Sequence, residues 1–326
     1  MKTRALGSSS LQLSEIGLGA WAIGGGGWKF GWGAQDDDQA VRAIRRALDL
    51  GINWIDTAPV YGLGHSEELV ARGVEGRRDE VILATKCSLV WDAAGNISSS
   101  LERQSVVREC EESLRRLRTD RIDLYQVHWP NDDPRIEEGW EAIGRLIDEG
   151  KVRYAGVSNF AEQQIERALA VRPVASLQAP YGMLQRDAES ALLPYCYRSG
   201  IGVLAYSPLG SGLLSGHFER SRLSPEDWRA SAPDFNEPNL SINLQVADGL
   251  GPIARRRRKT VSQVAIAWVL RRAEVASAIV GARREAQVDE AIGATGWSLA
   301  AEDIEEIERL LAQRERTLPP APVRFR

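Results

Sequence analysis

The chain is poor in the residues that build metal sites and covalent frameworks, with three cysteines and three histidines among 326 residues. Cys87, Cys110 and Cys196 are odd in number, widely spaced and form no C-x-x-C pair, which excludes a zinc ribbon and a disulfide framework. His65, His128 and His217 form no H-x-x-x-H pair, so no metal is expected. No uninterrupted apolar run reaches roughly 18 residues, which excludes a spanning helix. Residues 1–12 lack the apolar core of a signal peptide. The expected location is therefore cytoplasmic, with no membrane partner. An excess of positive charge is also missing. Lys plus Arg is 41 against 45 for Asp plus Glu, a net charge of −4, which argues against nucleic acid as the main partner.

What is present is an alternation. Apolar, β-rich runs at 16–22, 53–58, 81–86, 123–129, 154–159, 175–180, 202–207 and 276–282 read as eight strands. Amphipathic patterns at 37–50, 66–77, 101–117, 136–150, 161–171, 187–199, 261–272 and 284–293 read as the helices between and after them. Gly51, Gly150 and Gly200 stand where a left-handed residue closes a helix. Repeated strand–helix units imply parallel strands joined by right-handed crossovers. Eight of them favour an α/β fold of the (β/α)8 TIM-barrel class over the alternative, a doubly wound sheet with a second domain. Residues 1–326 read as one domain. Its additions are an N-terminal β-hairpin cap (1–15) around Gly7-Ser8-Ser9-Ser10, an insertion after the seventh strand (209–259), a further helix at 301–311 and a C-terminal tail (315–326). Long loops at the C-terminal face are more often functional than accidental.

Two motifs resemble chemistry without supporting it. Gly17-Leu18-Gly19-Ala20-Trp21-Ala22 fits a loose dinucleotide fingerprint, but that motif must turn straight into a helix, and the glycines at 24–27 are poor helix openers. His65-Ser66-Glu67 has the H-x-E form of a zinc deaminase without its P-C-x-x-C partner, and reads as a helix start with Ser66 as N-cap. The run Arg255-Arg256-Arg257-Arg258-Lys259 reads as the solvated end of a helix.

Barrel enzymes place their chemistry at the C-terminal ends of the strands. Here the second strand ends in Asp56, with Tyr61 just beyond, the third in Lys86 and the fourth in His128. Each alone has a plain structural explanation, but three titratable groups at one end of neighbouring strands point to a site. Lys86 is expected to favour the Tyr61 phenolate and lower its pKa, with Asp56 compensating Lys86 and a neutral His128 orienting a substrate oxygen. That set is an oxyanion site with a built-in acid and no electron source, which suits reduction of a carbonyl by an external hydride donor. Ser158, Asn159 and Gln178 can bond a carboxamide, Tyr206 can stack on a planar ring, and the segment from Ser207 through Leu209 to Ser211 offers backbone N–H groups to a pyrophosphate. Arg283 and Arg284 stand at a helix N-terminus, a favourable place for phosphate.

Several segments resemble the aldo-keto reductase family. They include Gly51-Ile52-Asn53-Trp54-Ile55-Asp56-Thr57-Ala58, Tyr61-Gly62, Ser66-Glu67, Ala84-Thr85-Lys86, the run from Ile122 to Trp129, Gly156-Val157-Ser158-Asn159-Phe160 and Tyr206-Ser207-Pro208-Leu209, in family order along nearly the whole chain. The resemblance, nearest to bacterial general stress-protein reductases and potassium-channel β subunits, implies a barrel that binds NADPH, or less readily NADH, without a Rossmann fold. It implies a catalytic tetrad of Asp56, Tyr61, Lys86 and His128, with Tyr61 as general acid. It places Ser158, Asn159 and Gln178 on the nicotinamide amide, Tyr206 and Trp21 against the cofactor, and Ser207, Leu209 and Ser211 along the pyrophosphate. Arg283, Gln287 and Glu290 surround the adenosine end. Many members carry Asn after that glutamate, where this chain has Ala291. Trp28, Trp32, Trp91 and Trp129, with Trp21 and Trp228 as further candidates, would wall a pocket for apolar or aromatic carbonyls. The expected partner is thus a small carbonyl substrate. The alternative reading is a nicotinamide-binding regulatory subunit with slow turnover.

Overall fold

The computed structural model describes residues 1–130 and 133–319. A hairpin of β1 (Thr3–Ala5) and β2 (Gln12–Ser14) opens the chain. The barrel begins with β3 (Ile16–Gly19), β4 (Trp54–Asp56) and β5 (Ile82–Cys87). A second hairpin, β6 (Leu89–Trp91) with β7 (Ile97–Ser99), follows β5 and was not expected from the sequence. The barrel then continues through β8 (Ile122–Val127), β9 (Val152–Ser158), β10 (Ser176–Pro180), β11 (Gly202–Tyr206) and β12 (Val275–Gly281). All eight strands run parallel in one closed barrel, and β12 pairs with β3 to complete it.

The surrounding helices are α1 (Asp37–Asp49), α2 (His65–Gly73), α3 (Arg103–Leu117), α4 (Ile136–Asp148), α5 (Glu162–Leu169), α6 (Leu192–Arg198), α7 (Asn239–Arg257), α8 (Val261–Leu270), α9 (Glu285–Ile292) and α10 (Ala301–Thr317). Gly51, Gly150 and Gly200 all have positive φ, as the helix-end reading requires. Three local expectations need correction. Ser66 lies inside α2, and Gly64 is the N-cap. The Ser66 hydroxyl instead bonds Thr57 Oγ1 at 2.9 Å and donates to the Ala20 carbonyl at 2.8 Å, tying α2 to the ends of β3 and β4. The basic run at the end of α7 is not merely solvated, because Arg256 and Arg257 both pair with the buried Asp303 of α10. Finally, α10 runs to Thr317 rather than stopping at 311, so residues 315–317 of the expected tail are helix, and 320–326 lie outside the described residues.

Strand alternation separates two environments. Ile55, Leu83, Tyr125, Val127, Val157 and Val203 face outward and pack under the helices in the main core. Trp54, Ala84, Leu124, Leu204 and Ala276 face the barrel axis, where Leu6, Leu11 and Leu13 of the hairpin join them and close the N-terminal mouth. Gly17 makes room for this plug: a Cβ there would stand 2.0 Å from the Trp54 ring, whose Nε1 donates to Ser277 Oγ at 3.0 Å. Two residues further along β4, β5, β8 and β11, the inward positions are Asp56, Lys86, Gln126 and Tyr206. Register places Asp56 opposite Ala84, Lys86 opposite Gln126, and Ser158 opposite Gln178. The apolar plug therefore supports a polar layer at the C-terminal end.

Candidate active site

Lys86 is fully buried and uses all three ammonium donors. Its Nζ donates to Asp56 Oδ2 at 2.8 Å, to the Thr57 carbonyl at 2.9 Å and to Tyr61 Oη at 3.2 Å. Burial lowers its pKa, opposed by Asp56. The other carboxylate oxygen of Asp56 accepts Gln178 Nε2 at 2.7 Å and Gln126 Nε2 at 3.4 Å. Asp56 is thus braced from β5, β8 and β10 at once. Gln178, expected to meet a carboxamide, spends its amino group on Asp56. Gln126 had no expected role, and its signal was a lone amide on an inward position of an otherwise apolar strand end.

Tyr61 is carried by the turn after β4. Its backbone approaches the loop after β3 so closely that a Cβ on Gly62 would lie 2.1 Å from the Gly24 carbonyl oxygen, and Gly62 has φ 64°. The phenol accepts from Lys86, which leaves its own proton to donate. Its pKa lies well above 10 because burial, then Asp56 and Tyr206, disfavour the phenolate. This corrects the expectation that Lys86 acidifies it: desolvation and the carboxylate outweigh the ammonium. His128 stands edge-on to Tyr61, with ring centroids 5.6 Å apart. Burial and Lys86 push its pKa well below 6.5, so the imidazole is neutral.

The remaining predicted residues fall into three groups. Ser158, Asn159 and Tyr206 meet beside His128: Asn159 Nδ2 donates to Ser158 Oγ and to the His128 carbonyl, both at 3.0 Å, and Tyr206 Oη donates to Asn159 Oδ1 at 2.8 Å. Asn159, Ser207 and Ser211 all have positive φ, unusual for residues with a Cβ, and Gly210 and Gly212 flank Ser211 in the same region. Leu209 accepts the backbone N–H groups of Gly212 and Leu214 at this turn.

Arg283 is engaged elsewhere than expected. Its Nε donates to Gln35 Oε1 at 2.6 Å, its Nη1 to the Trp32 carbonyl at 3.3 Å and its Nη2 to the Ala34 carbonyl, so it anchors the loop after β3. Gln287 caps the backbone of Arg283 at 2.9 Å, and Glu290 accepts the Ser262 hydroxyl of α8. Ala291 is buried in the core.

The tryptophans divide as well. Trp21 stacks on Trp228 at 5.4 Å and on Tyr61 at 6.4 Å, and Trp28 lies tilted over Tyr61 at 6.3 Å. Trp32 meets Trp21 and Trp228 edge-on, one layer further from Tyr61, beneath the Arg229 guanidinium at 4.2 Å. Trp91 makes no ring contact with this cluster. Trp129 follows His128 and is 41% exposed. Cys87 is buried, and burial raises its thiol pKa, so it is a poor nucleophile. Among the described residues no group of three His, Cys, Asp or Glu side chains is placed to hold a metal, and no helix is long and apolar enough to cross a membrane.

Residues 15–312 match the family model for the Aldo/keto reductase family. The chain belongs to that family and is an oxidoreductase. It is 40% identical to the aldo-keto reductase YhdN of Bacillus subtilis over 95% of this chain and 94% of that protein. It is 34% identical to an NADH-specific methylglyoxal reductase of Escherichia coli, covering 97% and 100% of the two chains. Among solved structures, the glycerol dehydrogenase AKR11B4 of Gluconobacter oxydans superposes with a TM-score of 0.88 at 38% identity, covering 98% of both chains. An aldo-keto reductase of Klebsiella pneumoniae in complex with NADPH superposes at 0.75 with 29% identity, covering 95% of each.

Proposed function

We propose that the protein reduces aldehydes and ketones to alcohols with NADPH, and more weakly with NADH. The observation that carries this reading is the Tyr61 hydroxyl, which accepts from Lys86 Nζ at 3.2 Å and keeps its own proton for a ligand, beside a neutral His128. A dinucleotide suits the donors present. The indole N–H groups of Trp32 and Trp228 are buried without an acceptor, next to Arg229 and Arg283 and to the left-handed turn at Ser211. Such a donor-rich face is built for an anionic group.

NADPH, when bound, supplies hydride. The chain's own residues do the rest. The substrate oxygen takes the Tyr61 proton as the carbonyl carbon gains hydride, so C=O becomes CH–OH. Lys86 Nζ, held by Asp56, stabilises the phenolate left on Tyr61. The neutral imidazole of His128 hydrogen-bonds the same substrate oxygen. Asn159 and the carbonyl end of Gln178 would hold the nicotinamide amide, and Tyr206 would stack on its ring. Exposed Trp129 and half-buried Trp28 favour apolar and aromatic carbonyls, whereas the named relatives suggest short polar ones, so a panel needs both.

Tyr61→Phe tests the reading. Turnover with 4-nitrobenzaldehyde and methylglyoxal should fall by roughly 10²–10⁴-fold, the range of a lost general acid, with NADPH affinity unchanged. Full activity in the variant would move the acid elsewhere. Measurable turnover in the parent protein separates this reading from the regulatory-subunit alternative.

A further inference from the structure

Ser88 directly follows β5, two residues after Lys86, and has φ 83°. A left-handed serine is strained and persists only where its surroundings hold it. Here they do so on three sides. Its N–H donates to Glu109 Oε2 of α3 at 2.9 Å, and its carbonyl accepts the Ser100 N–H at 3.0 Å. Its hydroxyl donates to the Trp129 carbonyl at 2.9 Å and accepts the Trp129 N–H at 3.2 Å, fixing both ends of that residue's backbone. Glu109 is buried, takes the Ser105 hydroxyl on its other oxygen at 3.0 Å and, among the described residues, has no cationic partner in hydrogen-bond contact.

Two walls of the active-site mouth leave this one residue. On one side is the exposed Trp129, adjacent to His128. On the other is the β6–β7 hairpin, whose Leu89 and Ile97 pack against Ala58, Val60 and Tyr61 together with Trp21 and Trp28. We infer that Ser88 and Glu109 form a positioning pair that sets these walls and so governs which carbonyl substrates are held. Neither residue touches the reacting atoms. The inference rests on the carbonyl-reductase reading for its substrate effect, but not for its structural effect.

The test uses the full chain and two readouts. Ser88→Ala removes both bonds to Trp129 while keeping the Glu109 contact to the backbone. The Trp129 amide should then exchange with solvent at least roughly tenfold faster. With NADPH saturating, KM for 4-nitrobenzaldehyde should rise roughly five- to tenfold, and kcat should stay within about twofold, the pattern of lost binding rather than lost chemistry. Glu109→Leu should act in the same direction. Glu109→Gln, which keeps an acceptor for the Ser88 N–H and can donate to Ser105, should return KM to the parent value. Should Glu109→Leu not fold, Ser88→Ala and Glu109→Gln decide the matter. An unchanged Trp129 amide in Ser88→Ala overturns the inference, as does an unchanged KM. Should the parent protein turn over no aldehyde, the reductase reading fails instead, and amide exchange alone decides the positioning claim.

Discussion

Replacing Glu109 by Gln should make the protein more stable, and increasingly so as pH rises. The carboxyl is 5% exposed and held only by Ser88 and Ser105 among its hydrogen-bond partners. Burial pushes its pKa from the ordinary 4.5 up to about 7; those hydrogen bonds and Arg108 oppose the rise, and Glu112 adds to it. Because the folded-state pKa is the higher one, the folded protein keeps a proton that the unfolded chain has released. Stability therefore falls as pH climbs from about 4.5 to about 7 and is level above that. The interval, at about 1.36 kcal/mol per pH unit, amounts to ~3 kcal/mol. Gln, like the protonated acid, offers an acceptor oxygen to Ser88 and a donor toward Ser105, and carries no charge to desolvate. Urea unfolding should thus find Glu109→Gln close to the parent near pH 5 and ahead by up to ~3 kcal/mol at about pH 8. A gap that does not widen between those values would refute the reasoning, and so would a variant less stable at the higher one.

Two further outcomes follow from the site. Lys86→Met leaves Asp56 buried without its cation and should cost about 3–5 kcal/mol in urea unfolding, along with aldehyde reduction; a variant as stable as the parent would show that Gln126 and Gln178 compensate the carboxylate by themselves. Gln35→Ala removes one of three acceptors that occupy Arg283. Titration of tryptophan fluorescence should then show affinity for NADPH rising severalfold relative to NADH, and a falling ratio would mean that Arg283 does not meet the 2′-phosphate.

Much of this was legible in the sequence, for a definite reason. The eight barrel strands begin and end within three residues of the expected runs, because parallel strands buried on both faces read as short apolar runs between amphipathic helices. The C-terminal ends of those runs set Asp56, Lys86 and His128 at one end of the barrel. Glu109 was legible in principle: it falls on the buried face of α3 with Val106, Cys110, Ser113 and Leu117, where a carboxylate is out of place. Gln126 carried a similar signal. The β6–β7 hairpin did not, since its strands are three residues long and gain their place from packing on Tyr61. The direction of the Tyr61 pKa was misjudged because sequence shows which charges are near and not how much water is lost.

Arg283 shows where such reading stops. Its position at the head of α9 suggests a phosphate ligand, yet its guanidinium reaches Gln35, 248 positions away, and the Trp32 and Ala34 carbonyls beside it. Arginine has five N–H donors, and three of them are spoken for here. The loop after β3 in turn meets the insertion after β11 through Trp32, Trp228 and Arg229, and the Trp228 backbone N–H donates to the Gly31 carbonyl at 3.2 Å. The C-terminal face is thus made of two kinds of parts. The residues proposed to handle the proton sit on or directly beside strands, where register fixes them and the sequence announces them. The loops proposed to face the dinucleotide hold one another through arginines and indoles, so their geometry belongs to the folded state alone. A 2′-phosphate that engages Arg283 must compete with the carbonyls that hold the loop in place, and cofactor preference in this protein becomes a property of the loop as much as of the arginine.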